Sequence, residues 1–276
     1  MTVLTQLRER VLVASLAARE SRRPIPEPTP ISATDALSLA AAAFERLLAG
    51  LSEKDWGLPV LRDLDVQGLV GHLIGVEHDV QRALAGDQGV ADIDHVVSTQ
   101  ETAQAQAGRS AALTRAEWRD AVDQTLRAVQ DSDQRVLSLH GMRLSVDALL
   151  VVRAFELWTH ENDIRLAVGA APSRPEPSVL ALMTRLAVQL LPHALSRMGA
   201  ETATDLHLVL TGPGGGTYDL RLGPPQGDPD DLLLVVDAVD FCRLVANRVT
   251  PAELDVHLHG QGADGVLAAA ASLALD

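Results

Sequence analysis

Glu156 and His160 stand four residues apart in the run 151–169, VVRAFELWTHENDIRLAVG. Side chains at i and i+4 share one face of a helix, so a carboxylate and an imidazole project together. Such pairs are also common on solvated helix faces, where they bind nothing. Here most other positions are apolar (Val151, Val152, Ala154, Phe155, Leu157, Trp158, Ile164, Leu166). The segment therefore has no broad solvated face, and a buried charge needs a partner or a metal. His72 lies among aliphatic residues two helical patterns earlier. Alone it reads as a hydrogen-bonded core histidine; with Glu156 and His160 it reads as a third ligand. Two neutral imidazoles and one carboxylate suit zinc or a similar divalent metal and leave a position open, as in catalytic sites. Water there would make the site hydrolytic. A thiol there would be deprotonated outright, which suits transfer of sulfur.

Cys242 is the only cysteine. It sits in a helical pattern with Val239, Phe241, Leu244 and Val245, reads as a small core residue, and so leaves the thiol to come from solution. One cysteine also excludes an intrachain disulfide and fits a reducing cytoplasm. Asp163, three residues after His160, could orient that imidazole as an acceptor, and Arg165 is placed to pair with Asp163. His78 is six residues from His72, about 600° around a helical wheel, and faces away. His257 and His259 share one strand face, read as polar. Gly212-Pro-Gly-Gly-Gly216 lacks the lysine-serine end of a phosphate loop and reads as a hairpin turn.

The elements that must position these residues follow from periodicity. An amphipathic helix over 3–20 precedes a linker with prolines at 24, 26, 28 and 30. Thr34 or Asp35 caps a helix carrying Leu37, Phe44 and Leu48. A second helix, 65–85, carries His72. Residues 86–113 form a long, weakly patterned connection of the kind that acts as a lid, with a helical piece around 97–106. Thr114 and Glu117 suggest a capping box opening a third helix. A small hairpin falls near His140-Gly141, and the fourth helix runs from Ser145 to Gly169, where glycine ends it. After Pro172, Pro175 and Pro177 come one more helix over 179–198, then strands at 205–210, 217–222, 232–236 and 254–259 alternating with helices at 237–247 and 264–275.

The composition, 47% hydrophobic and 22% charged, is that of a folded chain, and 276 residues suit two cores better than one. A net charge of −14 with no basic tract argues against nucleic acid. Arg8, Glu9 and Arg10 interrupt the first apolar run, so no signal peptide is expected. No window has the roughly 18 uninterrupted apolar residues of a spanning helix, so no membrane partner is expected.

The run Trp56…Asp63-Leu64…Val66…Leu69-Val70-Gly71-His72-Leu73, followed by Glu156-Leu-Trp-Thr-His160-Glu-Asn-Asp163, resembles the mycothiol-dependent maleylpyruvate isomerase and DinB-like metalloenzymes. The resemblance implies an α plus α+β fold: a DinB-like four-helix bundle over 34–170, then a small sterol-carrier-like α+β domain over 175–276, with 1–33 as an added helix and Pro-rich linker. It implies a divalent metal, usually zinc, on His72, Glu156 and His160. It places Arg248 facing the cleft, where it could hold an anionic substrate or thiol; Arg248 and, from its spacing to His160, Asp163 are the expected catalytic residues. The implied function is activation of a small thiol, mycothiol, as cosubstrate for S-transfer, thiol exchange or isomerisation of a small electrophile, by a monomer or homodimer. A metal hydrolase and a non-catalytic metal-containing ligand-binding protein are the alternatives.

Overall fold

The computed structural model describes residues 28–129, 135–199, 203–223 and 230–274; the helix expected over 3–20 and most of the proline linker lie outside them. Helix α1 (Ala33–Gly50) buries Leu37, Ala41, Phe44 and Leu48 on one face. Its cap is Ser32 and not Thr34 or Asp35. The Ser32 hydroxyl accepts from the Asp35 backbone N–H at 3.0 Å, and the Asp35 carboxylate accepts in return from the Ser32 N–H at 3.2 Å, a reciprocal box that starts the helix one turn before its apolar stripe. An unforeseen hairpin, β1 (Pro59–Leu61) with β2 (Leu64–Asp65), leads into α2 (Val66–Leu84), which Asp65 caps.

The piece expected around 97–106 is α3 (His95–Ala105), started by Asp94, whose carboxylate accepts from Val96 and Val97. Helix α4 (Ala111–Ala128) is capped by Ser110. Thr114, expected as its cap, is instead fully buried one turn inside the helix, where its hydroxyl donates to Gln106 Oε1 at 2.9 Å and accepts from Gln67 at 3.1 Å. A Thr-x-x-Glu pattern is equally compatible with a helix interior once an earlier serine caps the first turn.

Strands β3 (Val136–Leu139) and β4 (Met142–Ser145) form the hairpin expected near His140-Gly141. Both turn residues have positive φ, 51° and 75°, as a two-residue type I′ turn requires. Helix α5 (Val146–Ala167) follows, capped by Ser145.

Helices α1, α2, α4 and α5 make the bundle, α1 packing along α5 and α2 along α4. Their shared core contains Phe44, Leu69, Ile74, Trp118, Leu150 and Leu157. Helix α6 (Pro177–Arg197) is long and apolar enough to cross a membrane by length and composition, yet it buries Leu180, Met183, Ala187 and Leu191 against its neighbours. It backs a four-stranded sheet in the order β6 (Gly216–Leu222), β5 (Thr204–Thr211), β7 (Asp230–Asp237), β8 (His257–Gly260), with β5 and β7 parallel. The glycine cluster is the β5–β6 hairpin turn. Helices α7 (Ala238–Val245) and α8 (Ala263–Ala271) complete this half. Val151, Ala154 and Trp158 of α5 share one apolar cluster with Met183, Leu208 and Phe241, so the two halves join through continuous packing rather than a linker alone.

Candidate metal centre

Three elements meet at His72. On α2, Gly71 and Gly75 flank it; a Cβ at Gly71 would lie 2.9 Å from the Ala103 Cα, and one at Gly75 would lie 3.0 Å from the Thr99 side chain. These absent side chains let α3 approach closely. That approach delivers His95 and Thr99 to the same place as Glu156 and His160 of α5.

His72 Nε2, His95 Nε2 and His160 Nε2 lie 3.4, 3.5 and 3.9 Å from Glu156 Oε1. His72, His95 and Glu156 form the tightest group, with ligand atoms all within 4.8 Å of one another. None of the three distances is a hydrogen bond, and Glu156 Oε1 is buried without a hydrogen-bond partner among the described residues.

The far sides of the rings set their tautomers. Thr99 Oγ1 donates to the His95 carbonyl at 3.0 Å, so at 2.7 Å it accepts from His72 Nδ1–H. Asp163 accepts from His160 Nδ1–H at 2.9 Å. His140 Nε2–H donates to Asp79 at 3.0 Å, which leaves its Nδ1 to accept from His95 Nδ1–H at 3.2 Å. Each of the three imidazoles thus turns an Nε2 lone pair toward a carboxylate oxygen that is itself an acceptor. Four acceptors facing one another in a buried space repel unless a cation lies among them, and the donor set is the one zinc prefers.

The charges agree with this arrangement. Burial pushes His72 down to about 4 against the pull of Glu156, so its ring is neutral at pH 7. Burial opposes ionisation of Glu156, yet the Arg153 guanidinium holds it well below the usual carboxylate range. Arg153, 1% exposed, bonds Glu156 Oε2 and, at 3.0 and 3.1 Å, Glu77 Oε1. Glu77 also accepts from Thr125 at 2.6 Å. The pairing frees Glu156 Oε1 for the centre.

Asp163 is held low, against burial, by His160 and Arg248. Arg248 donates to its two oxygens at 2.7 and 2.9 Å, so a residue just past the end of α7 reaches back to the bundle. Arg165 pairs not with Asp163 but with Glu161, one turn earlier, at 2.8 Å; Asp163 points the other way, into the site. Cys242 is buried and its thiol is pushed up by burial and by Asp237, which rules it out as a neutral-pH nucleophile. His78, His257 and His259 are exposed.

Two clefts open at the centre and share His95, His160 and Arg248. One has Arg62, Asp63, Gln100, Gln104 and Asn247 in its walls. The other runs between α5 and α6 and is lined by Val152, Phe155, Met183, Leu186 and Leu190.

His72, Glu156, His160, Asp163 and Arg248 are therefore brought together. Sequence reasoning missed His95, His140, Asp79 and Arg153. His95 opens a helix in a weakly patterned stretch, where nothing local separates it from a surface residue. The usable signal was Gly71 and Gly75, four apart around His72, which mark a second helix approaching there.

Fold and site define a class: helical bundles with a buried cation-competent His/Glu cluster, joined to an α+β domain. Residues 37–165 match the family described as the mycothiol maleylpyruvate isomerase N-terminal domain. The chain is similar in fold to the crystal structure of the mycothiol-dependent maleylpyruvate isomerase at 14% identity, with a TM-score of 0.57 over 81% of this chain and 91% of that one. A histidine-to-alanine mutant of that enzyme aligns with a TM-score of 0.56, also at 14% identity and with the same coverage. No curated relative matches this chain in sequence.

Proposed function

We propose that this protein is a metal-dependent enzyme that activates a low-molecular-weight thiol, mycothiol, for S-transfer, thiol exchange or thiol-assisted isomerisation of a small electrophile. The observation that carries the reading is the convergence of three imidazole lone pairs on the unpartnered Glu156 Oε1, at the junction of two clefts. His72, Glu156 and His160, joined by His95, would hold the cation. A divalent ion held there supplies acidification of a thiol that reaches it.

The remaining roles fall to the chain's own groups. Thr99, Asp163 and the His140–Asp79 pair orient the three rings. Arg153 keeps Glu156 ionised, and Arg248 fixes Asp163 from the second half of the molecule. The thiol proton passes to solvent and its sulfur bonds to the electrophilic carbon. With an activated alkene, the π pair moves to the conjugated carbonyl oxygen; after bond rotation the enolate pair returns and expels the sulfur as thiolate, which takes a proton back from solvent, leaving the isomer and the thiol. With a leaving group, that group departs with its bonding pair and the sulfur stays. The family match over 37–165 supports the mycothiol assignment.

Purified protein should carry about one equivalent of zinc or a similar ion, measured by mass spectrometry, and His160→Ala should lose it. It should also consume mycothiol in the presence of an activated alkene. A folded wild type that takes up no metal would sink the reading. One observation favours a second reading, a structural staple: four protein groups face the centre, as many as a closed zinc site uses. Cobalt substitution separates the two. A visible spectrum that shifts on adding thiol supports the enzyme, and one that thiol and alkene leave untouched supports the staple. Incorporation of water rather than sulfur into product would instead indicate a hydrolase.

A further inference from the structure

The two clefts at the centre differ in chemistry, and the difference bears on the electrophile. We infer that the cleft between α5 and α6 takes an apolar electrophile, an uncharged alkyl- or aryl-bearing carbonyl compound, and not a small dicarboxylate. The inference rests on the thiol-activating reading above.

The cleft has a cavity volume of about 120 Å³ and opens to solvent beyond it. Its polar residues, His95, Glu156, Thr159, His160 and Arg248, are the ones at the metal end. The rest of the wall is aliphatic or aromatic: Val152 and Phe155 from α5, Met183, Leu186 and Leu190 from α6, with Val245 and Leu273. Val152, Phe155, Leu186 and Leu190 are only half-buried. Leu186 and Leu190 lie four apart, on one face of α6, so that face presents apolar surface to the cleft.

A dicarboxylate would need cations that are not already matched. The arginine in this cleft's wall, Arg248, is matched by both oxygens of Asp163, and Arg153 behind Glu156 is matched by Glu77 and Glu156. A second carboxylate entering beside Glu156 and Asp163 would meet like charge in a poorly solvated space. An alkyl chain would gain by leaving water. The other cleft, with Arg62, Asp63, Gln100, Gln104 and Asn247, offers the polar walls that a hydrophilic thiol requires.

The test is a series of enones sharing one reactive head and differing in alkyl tail, run with mycothiol on the zinc-loaded full-length protein, beside maleate-type dicarboxylates. Burial of each added methylene should raise kcat/KM about 3–4-fold until the cleft is full. Leu190→Asp should flatten that dependence and Leu190→Ala should reduce it; circular dichroism confirms that each variant is folded. A flat series, or a preferred dicarboxylate, overturns the inference and leaves the thiol chemistry standing. If no electrophile consumes thiol, the enzyme reading fails, and the cleft is judged alone by equilibrium binding of the uncharged fluorophore N-phenyl-1-naphthylamine. Binding to wild type that Leu190→Asp weakens at least 10-fold sustains an apolar-ligand site; no binding, or equal binding by both, overturns it.

Discussion

His72 illustrates how burial and function meet in one side chain. Its pKa falls from 6.5 to about 4, so between those values the folded, metal-free protein binds fewer protons than the unfolded chain. The resulting stabilisation is complete above pH 6.5 and is lost as the pH falls toward 4, on the order of 3 kcal/mol at most. Glu156, Asp163 and Asp79, all held low, act in the same direction, but only below about pH 4. Denaturation of chelator-treated protein should therefore show stability declining between pH 6.5 and 4, with a shallower decline in His72→Gln. Stability that rises on acidification over this range would contradict a neutral, buried His72.

At the scale of elements, the site depends on how closely α3 lies against α2. The weak apolar pattern of α3 does little to hold it; Gly71 and Gly75 admit it, and the contacts of Thr99 and Gln106 seat it. In Gly75→Val, the new side chain would begin 3.0 Å from Thr99 and must push α3 outward. The expected cost is about 1–3 kcal/mol of stability, with weaker metal binding as Thr99 and His95 shift, both read by chelator competition and chemical denaturation. Gly50→Ala, where a Cβ meets nothing within 4 Å, is the control and should change metal affinity little. The hairpin β3–β4 has a parallel role: its left-handed turn residue His140 supplies the acceptor that orients His95.

The whole molecule closes the site through Arg248, which crosses from the end of α7 to Asp163 on α5. The fork of a guanidinium fits two carboxylate oxygens in a way that an ammonium cannot. Arg248→Lys should keep the metal but lower the rate of thiol consumption about 10–100-fold, measured as kcat/KM beside metal content in the same preparation. An unchanged rate would mean that the second half of the molecule does not set the orientation of His160.

The sequence by itself determined the local and periodic features. Helices α2 and α5 and the hairpin at His140-Gly141 are written in apolar spacing and turn chemistry, which act over a few residues, and Glu156 with His160 follows from one helical turn. Helix starts were less legible at α1 and α4, because serine, threonine and aspartate can cap or sit inside a first turn equally well until the fold chooses. The tertiary structure alone decided that His95 joins His72, that Asp79 orients it through His140, and that Asp163 faces Arg248 rather than Arg165. Those contacts bring together residues far apart in the chain, and the packing of helices that sets them leaves no periodic trace in the segment that carries His95.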